Sequence, residues 1–210
     1  MRVRTKICGI TSLRDALNAV NCGADAIGFV FFEDSPRYIN VEKAEEICQS
    51  LPPLVSVVGL FVNAQPEFIR SVCSKVPLSL LQFHGDEQEA DCNIYRLPYI
   101  KAIRIQTDED VLIAQKMFKS AQGLLVDTYK KGIPGGTGEI FDWSLLPNRS
   151  AGHLIKPLIL AGGLSPDNIS DAIQSVQPYA VDVSGGVELM PGVKDHEKVS
   201  RFIKGAQCEY

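Results

Sequence analysis

Apolar and polar positions along the chain fall into one recurring unit. A short apolar run ends in a polar or glycine-containing turn, and an amphipathic segment follows. The runs are VRTKIC, AIGFVFF, VSVVGLFV, LSLLQFHG, YIKAIRI, GLLVDT, PLILAGG and YAVDVSGG. They are rich in Val, Ile, Leu and Phe, and they predict strands buried on both faces, as in a parallel sheet.

The segments between the runs carry helix signals. Ser12 predicts an N-cap with Asp15 at the third position, and Leu13, Ala16, Leu17 and Val20 fall on one face. Asn40 precedes Val41, Ala44 and Ile47. Pro66 suits a first helical turn, and Phe68, Ile69, Val72 and Cys73 share a stripe. Asp86 precedes EQEADCNIYRL, and Thr107 with Asp110 repeats the capping pattern. Ser165 as cap, followed by Pro166, predicts a helix through Ile169, Ala172, Ile173 and Val176. Asp195 opens HEKVSRFIK, and Gly205 is placed to end it. The sixth connection, YKKGIPGGTGEIFDW, is long and glycine-rich, with at most a short helix after it. Its composition suits either a mobile lid or a plain flexible loop.

Eight strand–helix units are the count of a (β/α)8 TIM barrel, an α/β fold that would take up the whole chain, 1–210, as one domain. The rival is an open doubly wound sheet, which concentrates its chemistry at one switch point. Here nearly every run ends in a polar or glycine-rich element: Cys8, Asn63, His84, Arg104, Asp127, Gly162 and Ser184. A closed ring would gather all of these on one rim, and the barrel is the favoured reading.

Composition narrows the function classes. The net charge of −4 argues mildly against nucleic acid or an anionic membrane as the main partner. No apolar run approaches the roughly 18 residues of a membrane span. The N-terminus lacks the pattern of a signal peptide, so the cytoplasm is the default location. The six cysteines form no C-x-x-C pair, and His84, His153 and His196 are scattered. Neither a disulfide framework nor a metal centre is expected.

The chemistry-bearing residues cluster at the ends of runs. ILAGGLSPDNI and VDVSGGVELMPG follow the seventh and eighth, where barrels often bind phosphate. Gly162 and Gly163 on one side, and Ser184, Gly185 and Gly186 on the other, can bring main-chain N–H groups close to an anion, with the Ser184 hydroxyl as a further donor. A lone Gly-Gly reads as a turn, but two such loops on adjacent strands favour a phosphate monoester. Asp127 is either a turn cap or a proton-transfer group. Cys8 is either an inert buried thiol or its counterpart across the mouth. Arg37 can grip a carboxylate with two parallel hydrogen bonds or simply be solvated. His84 can touch substrate or satisfy a loop carbonyl. Phe31 and Phe32 read as core.

Taken together, KICGIT, GADAIGFVFFEDSPRYI, VGLFVN, LQFHGDE, KAIR, LLVDT, GGTGEIFDW, LAGGLSPDNI and DVSGGVE resemble, in order and along essentially the whole chain, the phosphoribosylanthranilate isomerase family of tryptophan biosynthesis. The resemblance implies an Amadori rearrangement with Cys8 as general base and Asp127 as general acid. It also implies Arg37 on the anthranilate carboxylate, with Gln82 and His84 lining the site. Gly162, Gly163, Asp182, Ser184 and Gly185 fall in its phosphate-binding segments. No cofactor is implied, and the partner is a small phosphorylated substrate, with the enzyme a monomer or homodimer. The family often has two serines before GVE, whereas here Gly185 follows Ser184. The histidine-pathway isomerase would have an aspartate in place of Cys8, and a pentose-phosphate epimerase would need a metal-ligand set. A phosphosugar-binding protein without catalysis would not need both the acid and the base position filled.

Both proposed groups start from unsuitable acidities. A free Asp near pKa 3.9 must be raised to act as an acid at neutral pH, and burial at an apolar strand end is one source. A free thiol near 8.5 is mostly protonated, and a helix N-terminus after CGIT would lower it. Lys6 would help if strand alternation puts it on the same face as Cys8.

Overall fold

The computed structural model describes residues 2–105, 107–128, 146 and 155–207. Eight parallel strands close into a barrel in sequence order: β1 (Arg4–Cys8), β2 (Ala26–Val30), β3 (Ser56–Phe61), β4 (Leu80–Phe83), β5 (Tyr99–Ile105), β6 (Gly123–Thr128), β7 (Leu158–Leu160) and β8 (Ala180–Val183). The ring shuts where β1 pairs with β8, with Lys6 beside Asp182 and Ile7 beside Val183. This overturns the open-sheet alternative.

The apolar runs show no simple alternation because both faces of each strand are buried. Outward-facing Ile7, Ile27, Phe29, Phe61, Leu81 and Phe83 pack under the helices in the main core. Inward-facing Ile100, Ala102, Leu125, Ile159, Ala161 and Ala180 fill part of the barrel interior. Phe31 stacks on Phe61 with centroids 5.4 Å apart, and Phe83 packs edge-on to Tyr99 at 5.6 Å. Burying each such ring contributes roughly 1.5–3 kcal/mol. Phe31 is core as expected, but Phe32 is only partly buried and packs beside Cys8, Val30 and Leu60 at the barrel mouth.

The helices α1 (Leu13–Asn21), α2 (Val41–Gln49) and α3 (Pro66–Lys75) begin where their caps predict. Asp15 N–H donates to Ser12 Oγ at 3.1 Å, and Lys43 N–H donates to Asn40 Oδ1 at 2.9 Å. α5 (Asp108–Met117) opens with Thr107 N–H donating to Asp110 Oδ2 at 2.8 Å.

Other elements depart from expectation. α4 is only Glu89–Cys92. The Glu87 carboxylate accepts from the N–H groups of Asn63 and Gly85, and Asp86 N–H donates to Asn63 Oδ1, so residues 85–87 are held in a loop. α6 is Ile169–Val176 and follows a turn that begins at Ser165. α7 (His196–Gln207) runs through Gly205. A Cβ at Gly205 would come within 2.7 Å of Ile169 Cγ2, so this glycine lets α7 lie close to α6. A short antiparallel hairpin, β9 (Glu188–Met190) with β10 (Val193–Lys194), follows β8 and has no counterpart in the expected pattern.

Gly186 sits where the loops after β7 and β8 meet. A Cβ there would lie 1.9 Å from the Leu164 carbonyl oxygen, which is backbone and cannot swing aside. Gly186→Ala is therefore expected to cost about 1–3 kcal/mol, seen as a lower denaturation midpoint, and to spread the two glycine loops. Among the described residues no helix is long and apolar enough to cross a membrane.

Candidate active site

Because side chains two apart on a strand share a face, the inward set that includes Ala102 and Leu125 continues to Arg104 and Asp127 at the carboxyl-terminal rim. The same parity brings Lys6 and Cys8 inward on β1, Gln82 on β4 and Asp182 on β8. The closed strand order fixes their sequence around the mouth: Asp127 on β6, Gly162 and Gly163 after β7, Ser184 and Gly185 after β8, Cys8 on β1, and Arg37 after β2. Both glycine loops thus lie on the arc between the strand of Asp127 and the strand of Cys8.

Cys8 is buried and stands over Gly28 of the neighbouring strand. A Cβ at Gly28 would come within 2.9 Å of Cys8 Sγ and 3.0 Å of Lys6 Nζ, so the missing side chain makes room for both groups. Lys6 Nζ donates to Asp182 Oδ1 at 2.9 Å in a buried pair and also faces the thiol as a charge and hydrogen-bond partner. Burial pushes the Cys8 thiol above its ordinary value, and Lys6 opposes that push without cancelling it, with Asp182 adding to the rise. The lowering expected from a helix N-terminus does not result. Burial also opposes the charge on Lys6, but Asp182 and Cys8 outweigh it and hold the ammonium above its usual range.

Asp127 faces His84 across the mouth. Gln82 donates its amide N–H to His84 Nδ1 at 3.0 Å, which leaves the proton of a neutral imidazole on Nε2, 3.2 Å from Asp127 Oδ2. Gln82 is fully buried, so it reaches a ligand only through His84, and its Oε1 lacks a partner among the described residues. The Asp127 side chain is 38% exposed, so the apolar burial expected of a carboxyl at this strand end is not what surrounds it. A cavity of about 320 Å3 opens beside His84, Arg104 and Asp127. Its other walls include residues 85–88, the α5 residues Ile113, Ala114 and Met117, and Phe118 just after them, so it runs outward from Asp127 toward α5 and not toward Cys8 or the glycine loops. The glycine-rich segment after Asp127, including GGTGEIFDW, lies outside the described residues, as does His153.

The anion-binding candidates are arranged differently from expectation in two respects. Gly162 and Gly163 have φ of 77° and 65°, a region that favours glycine, and they turn the chain sharply off β7. The Ser184 hydroxyl, expected to reach a phosphate, instead donates to the Cys8 carbonyl at 3.0 Å. The Asp182 carboxylate is turned to Lys6 beneath the thiol, not offered to an anion, which its own charge would repel. Arg37 is drawn to Glu188: Nε donates to Oε1 at 2.9 Å and Nη2 to Oε2 at 2.7 Å. Lys194 Nζ donates to the same carboxylate at 2.7 Å. Sequence reasoning missed Glu188, Lys194 and Gly28. Glu188 and Lys194 stand in the stretch that forms the unanticipated hairpin, and nothing local marks their partners. Among the described residues no group of three or more His, Cys, Asp or Glu side chains is placed to hold a metal ion.

Comparison with known proteins gives consistent relatives. The family described as N-(5'phosphoribosyl)anthranilate (PRA) isomerase matches residues 5–205. The chain is 55% identical over 205 residues to the N-(5'-phosphoribosyl)anthranilate isomerase of Pseudomonas fluorescens strain Pf0-1, covering 98% of each. The crystal structure of phosphoribosyl anthranilate isomerase from Thermotoga maritima superposes with a TM-score of 0.88 at 45% identity, over 97% of this chain and 98% of that one. Another solved phosphoribosyl anthranilate isomerase, in complex with reduced 1-(o-carboxyphenylamino)-1-deoxyribulose 5-phosphate, aligns with a TM-score of 0.85 at 44% identity, with the same coverage.

Proposed function

The chain belongs to the N-(5'-phosphoribosyl)anthranilate isomerase family, and from that premise we propose that Cys8 and Asp127 are the base and acid of its reaction. It is an isomerase of tryptophan biosynthesis that converts N-(5-phosphoribosyl)anthranilate to 1-(2-carboxyphenylamino)-1-deoxyribulose 5-phosphate. The observation that carries the assignment is the rim order: the two glycine loops lie between the acid's strand and the base's strand, with Arg37 beyond the base. A phosphate pinned at those loops leaves the ribose between the two groups and the aryl carboxylate toward Arg37.

The reaction needs an acid and then a base. Asp127 gives its proton to the ribose ring oxygen as the C1′–O bond opens, and the anilino nitrogen lone pair supports the iminium that forms. Cys8 as thiolate then takes the proton from C2′, and the electron pair of that C–H bond neutralises the iminium to give an enolamine. Tautomerisation of the enolamine gives the ketone. Lys6 stabilises the thiolate through charge, and Asp182 keeps Lys6 in place. His84, oriented by Gln82, holds one oxygen of Asp127 and leaves the other for the sugar. Main-chain N–H groups of Gly162, Gly163 and Gly185 serve the phosphate.

The direct test is an assay of the purified chain with N-(5-phosphoribosyl)anthranilate, following loss of anthranilate-type fluorescence. Binding without turnover would reduce the chain to a phosphosugar-binding protein. The pH dependence checks the base. With the Cys8 thiol above its ordinary value, the thiolate fraction grows as pH rises, so alkylation of Cys8 by iodoacetamide in the free chain should climb along an alkaline limb. Lys6→Met removes the opposing charge and leaves Asp182 facing the thiol, so the alkaline limb should move to still higher pH and kcat/KM at pH 7 should fall. An unmoved limb would take Lys6 out of this role.

A further inference from the structure

We propose that Glu188 is a positioning residue for substrate recognition, clamping one edge of Arg37 so that the other edge is presented to the aryl carboxylate. The proposal rests on the reading of Arg37 as the carboxylate contact. The two hydrogen bonds from Arg37 use its Nε and Nη2, the side-on edge of the guanidinium. That pairing leaves the end-on edge, Nη1 with the second N–H of Nη2, to offer two parallel N–H groups, the geometry a carboxylate takes. The Arg37 side chain is 22% exposed and the Glu188 side chain 4%, so the buried partner is the clamp and the half-open one is the contact.

Three further observations support a built device over a chance ion pair. Arg37 lies in a slot: a Cβ at Gly9 would come within 2.7 Å of its Cδ, and one at Gly185 within 3.2 Å of its Nη2. The hairpin that the sequence pattern did not announce sets Lys194 opposite Glu188 across a register shift at Val193/Lys194, and Lys194 Nζ reaches the Glu188 carboxylate. Charge accounts for the lysine. Arg37 and Glu188 alone cancel, and an incoming carboxylate would face an anion. Adding Lys194 leaves two cations and one anion, one net positive charge for the substrate. Burial pushes the Glu188 carboxyl up, but Arg37 and Lys194 outweigh it and hold it ionised below the usual carboxylate range. Burial likewise pulls Lys194 down, with Glu188 opposing.

The experiment compares two substrates, N-(5-phosphoribosyl)anthranilate and N-(5-phosphoribosyl)aniline, which lacks the carboxylate. Glu188→Asp keeps every charge but is one methylene short of spanning both nitrogens. The double change Glu188→Gln with Lys194→Met removes the clamp at unchanged net charge. Each should raise KM for the carboxylated substrate, by about tenfold in the double variant. Neither should raise KM for the aniline compound, while Lys194→Met, which also withdraws a positive charge from the Cys8 thiol, should lower kcat on both substrates alike. Equal rises in KM on both substrates, or none on the carboxylated one, would overturn the proposal. Glu188→Asp, which preserves the charges, keeps the test open if the double variant folds poorly. Arg37→Ala separates this inference from the reading beneath it. If Arg37→Ala fails to discriminate the two substrates, the assignment of Arg37 itself is wrong. If it discriminates while the Glu188 variants do not, only the clamp is lost.

Discussion

Cys8→Ala should lower kcat by about 10²–10⁴-fold, the range that one positioned proton-transfer group supplies. The fold should survive the change. Cys8 belongs to a small inward cluster with Val30 and Leu60, apart from the main core beneath the helices. Removing one sulfur atom there leaves little void, and Lys6 keeps Asp182 as its partner. Fluorescence turnover and a thermal melt separate the two effects. Turnover within a few-fold of the parent would remove Cys8 as the base, and a collapsed melt would show that the thiol is structural.

Asp127→Asn is the second large expected loss, of the same order, about 10²–10⁴-fold in kcat. Asparagine is nearly isosteric and retains a carbonyl oxygen for His84 Nε2, but its amide cannot deliver a proton to the ring oxygen. With its side chain 38% exposed, Asp127 contributes little to packing, so the melt should be unchanged. The KM for substrate should also hold, because the phosphate and carboxylate contacts lie on other strands. A variant that loses affinity instead of turnover would make Asp127 a binding group.

Much of the architecture was readable in advance because parallel strands leave a local mark. Runs such as AIGFV, and SVVGLF after its opening serine, are apolar throughout and betray burial on both faces. Ser12, Asn40 and the Thr107–Asp110 pair mark helix starts through contacts only three residues long, and Pro66 marks one by standing at the first helical position. Errors arose where distant contacts decide the local shape. Glu87 and Asn63 delay the start of α4, and α6 explains a glycine inside α7. The site followed the same division. Cys8, Asp127 and the glycine loops stand at strand ends and are visible as such. The hydrogen bonds that set their chemistry join Lys6 to Asp182, 176 residues away, and Arg37 to Glu188, 151 residues away. No window of sequence contains both partners of either pair, so neither contact leaves a local mark.

The seam between β1 and β8 has a consequence for a chain still leaving the ribosome. Such a chain already carries the thiol, the guanidinium and the acidic group, but not the carboxylates that steer the first two. Until the last strand docks against the first, Lys6 has no Asp182 and Arg37 has no Glu188. On the assignment proposed above, the base takes on its charged neighbours in the same event that shuts the ring.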